Sequence, residues 1–171
     1  MMIMISKQLV VEKHMRQLIM VLLVSLCFTG LAQAEKAPDF NVPSAMGEIS
    51  LGKLRGHVVY LDFWASWCVP CRKSFPWLNE MQVRYDKSGL KIIAINLDEE
   101  RQLADSFLKK YPAKFTVGFD PKGKSASAYG LRGMPSSYLI DRKGQLLSSH
   151  IGFRSDDRAA LEQKISQALA K

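Results

Sequence analysis

Val58-Val59-Tyr60-Leu61-Asp62-Phe63-Trp64-Ala65-Ser66-Trp67-Cys68-Val69-Pro70-Cys71-Arg72 decides how this chain folds. Val58 to Trp64 is a near-continuous apolar run broken by one acid, Asp62, the pattern of a central strand buried on both faces. Beyond Cys68, Phe75, Leu78, Met81 and Tyr85 recur at three-to-four spacing and give a helix one apolar face. A buried strand therefore ends and a helix begins at the first cysteine. A helix N-terminus presents unpaired N–H groups and partial positive charge. A thiolate there is stabilised, so Cys68 is the expected nucleophile, exposed and with its pKa below the free-cysteine value of about 8.5. Cys71 follows one turn later on the same face and is placed to resolve a mixed disulfide. Pro70 fits the first helical turn, and Trp67 shields the pair from water on one side. Pro76 is expected to kink the helix and Gly89 to end it.

The cysteine count supports redox use of the pair. The chain has three cysteines, and Cys27 lies within an apolar N-terminal run. Cys68 and Cys71 close a very small loop, which constrains little chain and makes a poor structural staple. Zinc is disfavoured, since no second cysteine pair exists and His57 and His150 have no ligand spacing. Asp62 is the other anomaly of the stretch. A carboxylate in a buried strand is costly without a partner, and burial raises its pKa.

Upstream, residues 1–34 read as a secretory leader. Lys7, Lys13 and Arg16 precede an apolar run from Leu18 to Leu31, and Ala32-Gln33-Ala34 is a small-residue cleavage pattern. The run is short for a membrane span of ~20 residues, an uncleaved anchor being the other reading. Met15 makes a tidier start than Met1. Leu26 before Cys27 is bulkier than lipidation signals favour. Cleavage would leave residues 35–171 as one domain. It would remove three of the 24 basic and one of the 16 acidic residues, for a net charge of +6. That charge is scattered, without a basic stripe interleaved with aromatics, so nucleic-acid binding has little support.

Downstream, Pro38, Pro43 and Gly47 punctuate an extended lead-in with one or two short strands. Lys91 to Leu97 and Phe115 to Phe119 read as strands, with a helix over Glu99–Tyr111 that Pro112 stops. Ser125 to Tyr129 is a short helix. Ser137–Ile140 and Gln145–Ile151 flank the turn Asp141-Arg142-Lys143-Gly144 as a hairpin. Ser155 caps a last helix with Leu161, Ile165 and Leu169 as its core stripe. Strands alternating with helices, followed by a hairpin and a helix, give an α/β fold with a mixed central sheet flanked by helices.

The stretch from Asp62 to Cys71 resembles the active-site segment of thioredoxins. More closely, Trp64-Ala65-Ser66-Trp67-Cys68-Val69-Pro70-Cys71-Arg72 resembles the exported TlpA/ResA-type branch of that superfamily. The resemblance covers roughly residues 38–170 and implies a thioredoxin fold with an N-terminal extension and a helix–strand insert over Glu99–Phe119. Gly133-Met134-Pro135-Ser136-Ser137-Tyr138-Leu139-Ile140-Asp141 resembles the superfamily's cis-proline segment. It implies a cis Met134–Pro135 bond beside the cysteines, with the Met134 backbone pairing with an extended client chain. Asp62 matches the acid that moves a proton on or off the second cysteine, here Cys71. The chain departs from the branch at Ser74, where a glutamate is common, and Ala94 takes the place of the lysine that accompanies the acid in thioredoxins.

The resemblance implies a periplasmic thiol–disulfide oxidoreductase, soluble or tethered to the inner membrane by its leader. It needs no cofactor beyond the Cys68–Cys71 disulfide, and no glycine-rich phosphate loop follows a strand. Val69-Pro70 is similar to reducing members, so the expected enzyme is a monomeric reductant recharged by a membrane thiol donor. Its clients would be oxidised cell-envelope proteins such as apocytochrome c or copper-site assembly proteins. Two alternatives stand beside it. The lead-in Phe40–Gly56 resembles peroxiredoxins, but a thiol peroxidase usually has a threonine where Ala65 stands. A metallochaperone or client-binding module would use the cysteines as a grip, yet the domain lacks a methionine-rich copper motif.

Overall fold

Two adjacent parallel strands carry the site, and their burial explains their place in the sheet. In the computed structural model, which describes residues 15–17 and 35–171, β3 (Val58–Trp64) is buried at every position and β4 (Leu90–Asn96) at all but one. The leader expected over 1–34, Cys27 included, falls outside the described residues apart from 15–17. Ala34–Lys171 forms one compact unit. β3 and β4 pair in register from Val58↔Leu90 to Trp64↔Asn96. Their apolar runs place them mid-sheet, where both faces are covered.

The lead-in forms the hairpin β1 (Asn41–Ser44) and β2 (Gly47–Ser50). β5 (Thr116–Phe119), β6 (Ser136–Ile140) and β7 (Leu146–Ile151) complete a seven-stranded mixed sheet in the order β2-β1-β5-β4-β3-β6-β7. β5 runs parallel to β4, while β6 and β7 run antiparallel to their neighbours. The helices are α1 (Val69–Tyr85), α2 (Arg101–Lys110), α3 (Lys124–Ala128) and α4 (Asp157–Leu169). α1 stays helical through Pro76 and ends before a 3-10 turn, Asp86–Ser88, which Gly89 closes at φ +94°. Gly89 thus terminates that turn rather than α1.

Alternation along β3 sorts the core into two layers. Val58, Tyr60 and Trp64 face one layer with Cys68, Cys71, Phe75 and Trp77 of the α1 region, Phe107 of α2 and Leu161 of α4. Val59, Leu61 and Phe63 face the other, covered by Phe40, Val42 and Leu51 of the lead-in and by Tyr129. Packing in the first layer is aromatic: Trp64, Phe75 and Phe107 lie with ring centroids 4.6–4.9 Å apart. Each such pair adds about 0.5–1.5 kcal/mol beyond its buried area. This triangle fastens the α2 insert to the strand and helix that carry the cysteines.

Ser155 does not cap α4, which starts at Asp157 without a side-chain cap bond. The Asp157 carboxylate instead accepts the Arg154 N–H at 2.8 Å, closing the preceding turn from within the helix. At the other end of the sheet, Arg142 in the β6–β7 turn donates to the carbonyls of Gly56, Ser88 and Leu169 at 2.9, 3.2 and 3.3 Å.

Gly118 shows how closely the lead-in hairpin is fitted. A Cβ there would meet Val42 Cγ2 at 2.6 Å, with Ile49 and Ile95 at 3.7 Å. Gly118→Ala should therefore destabilise the domain by about 1–3 kcal/mol through overpacking, read as a lower urea midpoint with an unchanged slope.

Candidate active site at the mouth of α1

The chain leaves β3 at Trp64 and turns at once, the Cys68 N–H donating to the Ala65 carbonyl at 3.1 Å. Cys68 is the N-cap of α1, in extended conformation with φ −75° and ψ 101°. Its sulfur accepts the Cys71 N–H at 3.3 Å. This does for the helix what a serine or aspartate cap does elsewhere: it satisfies one of the first-turn donors. Pro70 has no N–H and removes another orphan donor. The two sulfurs are bonded, with Cα atoms 5.3 Å apart, so the structure shows the oxidised state.

The sequence leads to an exposed Cys68, and the structure corrects this. Cys68 keeps 3% of its surface and Cys71 none. The bond turns the Cys68 sulfur inward toward Cys71, and half-buried Met134 packs against the core layer containing both cysteines. Trp67, at 65% exposure, stands out into solvent beside the pair, as does Val69.

Asp62 has the parity of Tyr60 and Trp64, so it faces the same layer as the cysteines. It is buried, and its Oδ2 has no hydrogen-bond partner. Burial holds its carboxyl well above the usual carboxylate range. Its strand neighbours in register are Ala94 on β4 and Ser137 on β6, and it makes no ion pair among the described residues. Tyr60, two positions along β3, donates to Ser137 Oγ at 2.9 Å, and burial above all, then the charge of Asp62, raises its phenol pKa. Ser74 is buried and donates to the Cys71 carbonyl at 3.1 Å, turning its hydroxyl back into the helix.

The Met134–Pro135 peptide bond is cis. Pro135, just ahead of β6, is buried, and its carbonyl accepts the Gly152 N–H at 2.7 Å. The loop from Arg132 to Met134 keeps exposed or half-buried surface beside Ile151, which is 56% exposed. No group of His, Cys, Asp and Glu among the described residues is arranged to hold a metal ion.

Sequence reasoning missed one further group. Asp98, just beyond β4, is buried and accepts from Ser66 N at 2.9 Å, Ser66 Oγ at 2.8 Å and Asn96 Nδ2 at 2.7 Å. The available signal was an acid just past the C-terminal end of a buried parallel strand, where α/β sheets place their sites.

Known proteins share this arrangement. Residues 34–149 match the AhpC/TSA family. The thiol-disulfide oxidoreductase ResA of Bacillus anthracis is 36% identical over 125 residues, 72% of this chain and 72% of that protein. A Chlorobium tepidum crystal structure described as thiol:disulfide interchange protein DsbE is 53% identical and covers 82% of this chain and 99% of its own, with a TM-score of 0.79. A Neisseria meningitidis solution structure described as a thioredoxin is 27% identical over 80% of this chain and 92% of its own, with a TM-score of 0.70. A match across more than half the sequence, and relatives alike in fold and named for the same redox chemistry, place it: the chain belongs to the AhpC/TSA family of the thioredoxin superfamily, among its thiol–disulfide oxidoreductases.

Proposed function

We propose that this chain works as a reductant of disulfides in cell-envelope proteins, with Cys68 attacking, Cys71 resolving and Asp62 taking the proton. The observation that carries the reading is the Cys71 N–H aimed at the Cys68 sulfur at the helix mouth. In the reduced protein the same N–H and the helix dipole favour a thiolate at Cys68. That thiolate attacks one sulfur of a client disulfide, and the other client sulfur leaves as a thiolate. Cys71 then loses its proton to the Asp62 carboxylate and attacks Cys68. The client's second sulfur leaves, and the Cys68–Cys71 bond forms. Two electrons have passed to the client, and a membrane thiol donor must return them.

Asp62 suits this step because a desolvated carboxylate binds a proton readily. Client binding follows from the edge beside the cis peptide. Met134 offers its backbone to an extended segment, and Trp67, exposed beside the pair, offers the client an apolar ring. The leader composition supports a periplasmic location, soluble or tethered. Apocytochrome c and copper-site assembly proteins are the client classes that fit a reductant there. No cofactor beyond the disulfide is called for.

Equilibration of the pair with glutathione tests the direction. The expected potential lies toward the thioredoxin end, about −270 mV, and a value near about −120 mV would reverse the assignment to oxidant. Rapid turnover of hydrogen peroxide by the purified protein would favour the peroxidase alternative, despite Ala65.

A further inference from the structure

Ser66 and Asp98 each lie two residues beyond the last paired positions of β3 and β4, Trp64 and Asn96. Because the strands are parallel, both loops emerge at the same end of the sheet. The Leu97 N–H donates to the Trp64 carbonyl at 3.0 Å, so the two segments stay laced as they leave it. There Asp98 receives both the backbone N–H and the hydroxyl of Ser66. Its place is fixed in turn by Asn96, whose Nδ2 donates to Oδ2 at 2.7 Å and whose Oδ1 accepts the Asp98 N–H at 3.1 Å. Asp98 is 5% exposed and makes no ion pair among the described residues. A buried carboxylate without a cation is retained at a cost. Here all its hydrogen bonds go to the Ser66 loop and to the residue that orients it.

We propose that Asp98 is a positioning residue for the redox reaction: its carboxylate clips the Ala65–Cys68 turn so that the Cys68 sulfur stays over the Cys71 N–H at the helix mouth. The clip acts through Ser66 and touches neither sulfur nor client. Charge-assisted bonds to a backbone N–H and a hydroxyl are strong enough to hold such a turn. Loosening the turn lets the sulfur drift from the dipole and from its donor, which lowers the fraction of reactive thiolate.

This rests on Cys68 being the attacking sulfur, and the experiment separates the two claims. Reduced wild-type protein is treated with iodoacetamide across pH, and the modified cysteine is located by mass spectrometry. Modification at Cys71 first would sink the assignment of the nucleophile before any variant is made. With Cys68 established, Asp98→Ala is expected to slow alkylation about tenfold at pH 6 and raise its pH midpoint by about one unit. Removing a negative charge from the neighbourhood would by itself move the midpoint down, so the sign distinguishes positioning from electrostatics. Ser66→Ala, which removes one of the two Ser66 bonds and no charge, should move the midpoint the same way by less. The double variant should be no worse than Asp98→Ala alone, because both changes cut one tether. Asp105→Ala, which removes an exposed carboxylate paired with Arg101, should change nothing. A midpoint that falls or stays put in Asp98→Ala overturns the proposal. If that variant does not fold, an unmoved midpoint in Ser66→Ala does the same.

Discussion

Cys68→Ser should lower disulfide reduction by about three orders of magnitude or more, the scale on which a lost nucleophile is felt. Cys71→Ser should behave differently. It keeps the attacking sulfur and the cap position but loses the group that releases the client. It should therefore accumulate a covalent adduct with a disulfide-bonded peptide, visible on a non-reducing gel and absent with Cys68→Ser. The asymmetry follows from the geometry: Cys68 sits at the N-cap with a residual opening, while Cys71 is fully enclosed one turn inside the helix. Equal loss in both variants without an adduct would remove the division of labour. An adduct on Cys71 in Cys68→Ser would invert it.

Asp62→Asn should make the protein more stable and slower at once. The carboxylate is buried with an unpartnered oxygen, and leaving such a group unsatisfied costs about 1–3 kcal/mol. Its folded pKa lies above its unfolded value because burial penalises the charge. Between those two values the folded chain holds a proton that the unfolded chain has lost, so stability falls as pH rises through that window. Asparagine has no proton to release. Its advantage should be greatest above the window, as a melting temperature several degrees higher, and should vanish below the ordinary carboxylate range. The resolving step should meanwhile slow by about a hundredfold, the lower part of what a general base contributes. A variant that is neither more stable nor slower would show that Asp62 is only packing.

Much of this is legible without the fold, for identifiable reasons. β3 and β4 announce themselves because a strand covered on both faces must be apolar almost throughout, while β6 is marked by the hairpin turn that follows it, and their observed ends fall within a residue or so of the expected ones. The placement of Asp62 follows from period-two alternation along such a strand. The Asp98–Ser66 clip is not legible, because its partners are 32 positions apart and meet only once two parallel strands end together. The low exposure of Cys68 escapes for a similar reason. The helix rule positions the sulfur, but Met134, from a distant loop, packs against the same layer. The sequence misplaces the cap of α4 because no side chain caps this helix, and the bond that shapes its start runs the other way, from the Arg154 N–H ahead of it to the Asp157 carboxylate.

Arg142 lies at the pole of the sheet opposite the sulfurs, gathering the carbonyls of Gly56, Ser88 and Leu169. Gly56 and Ser88 each stand two residues ahead of a central strand, and Leu169 ends the last helix. One side chain thus ties the starts of both site-bearing strands to the far end of the chain, so an alteration there would be felt by all three segments together.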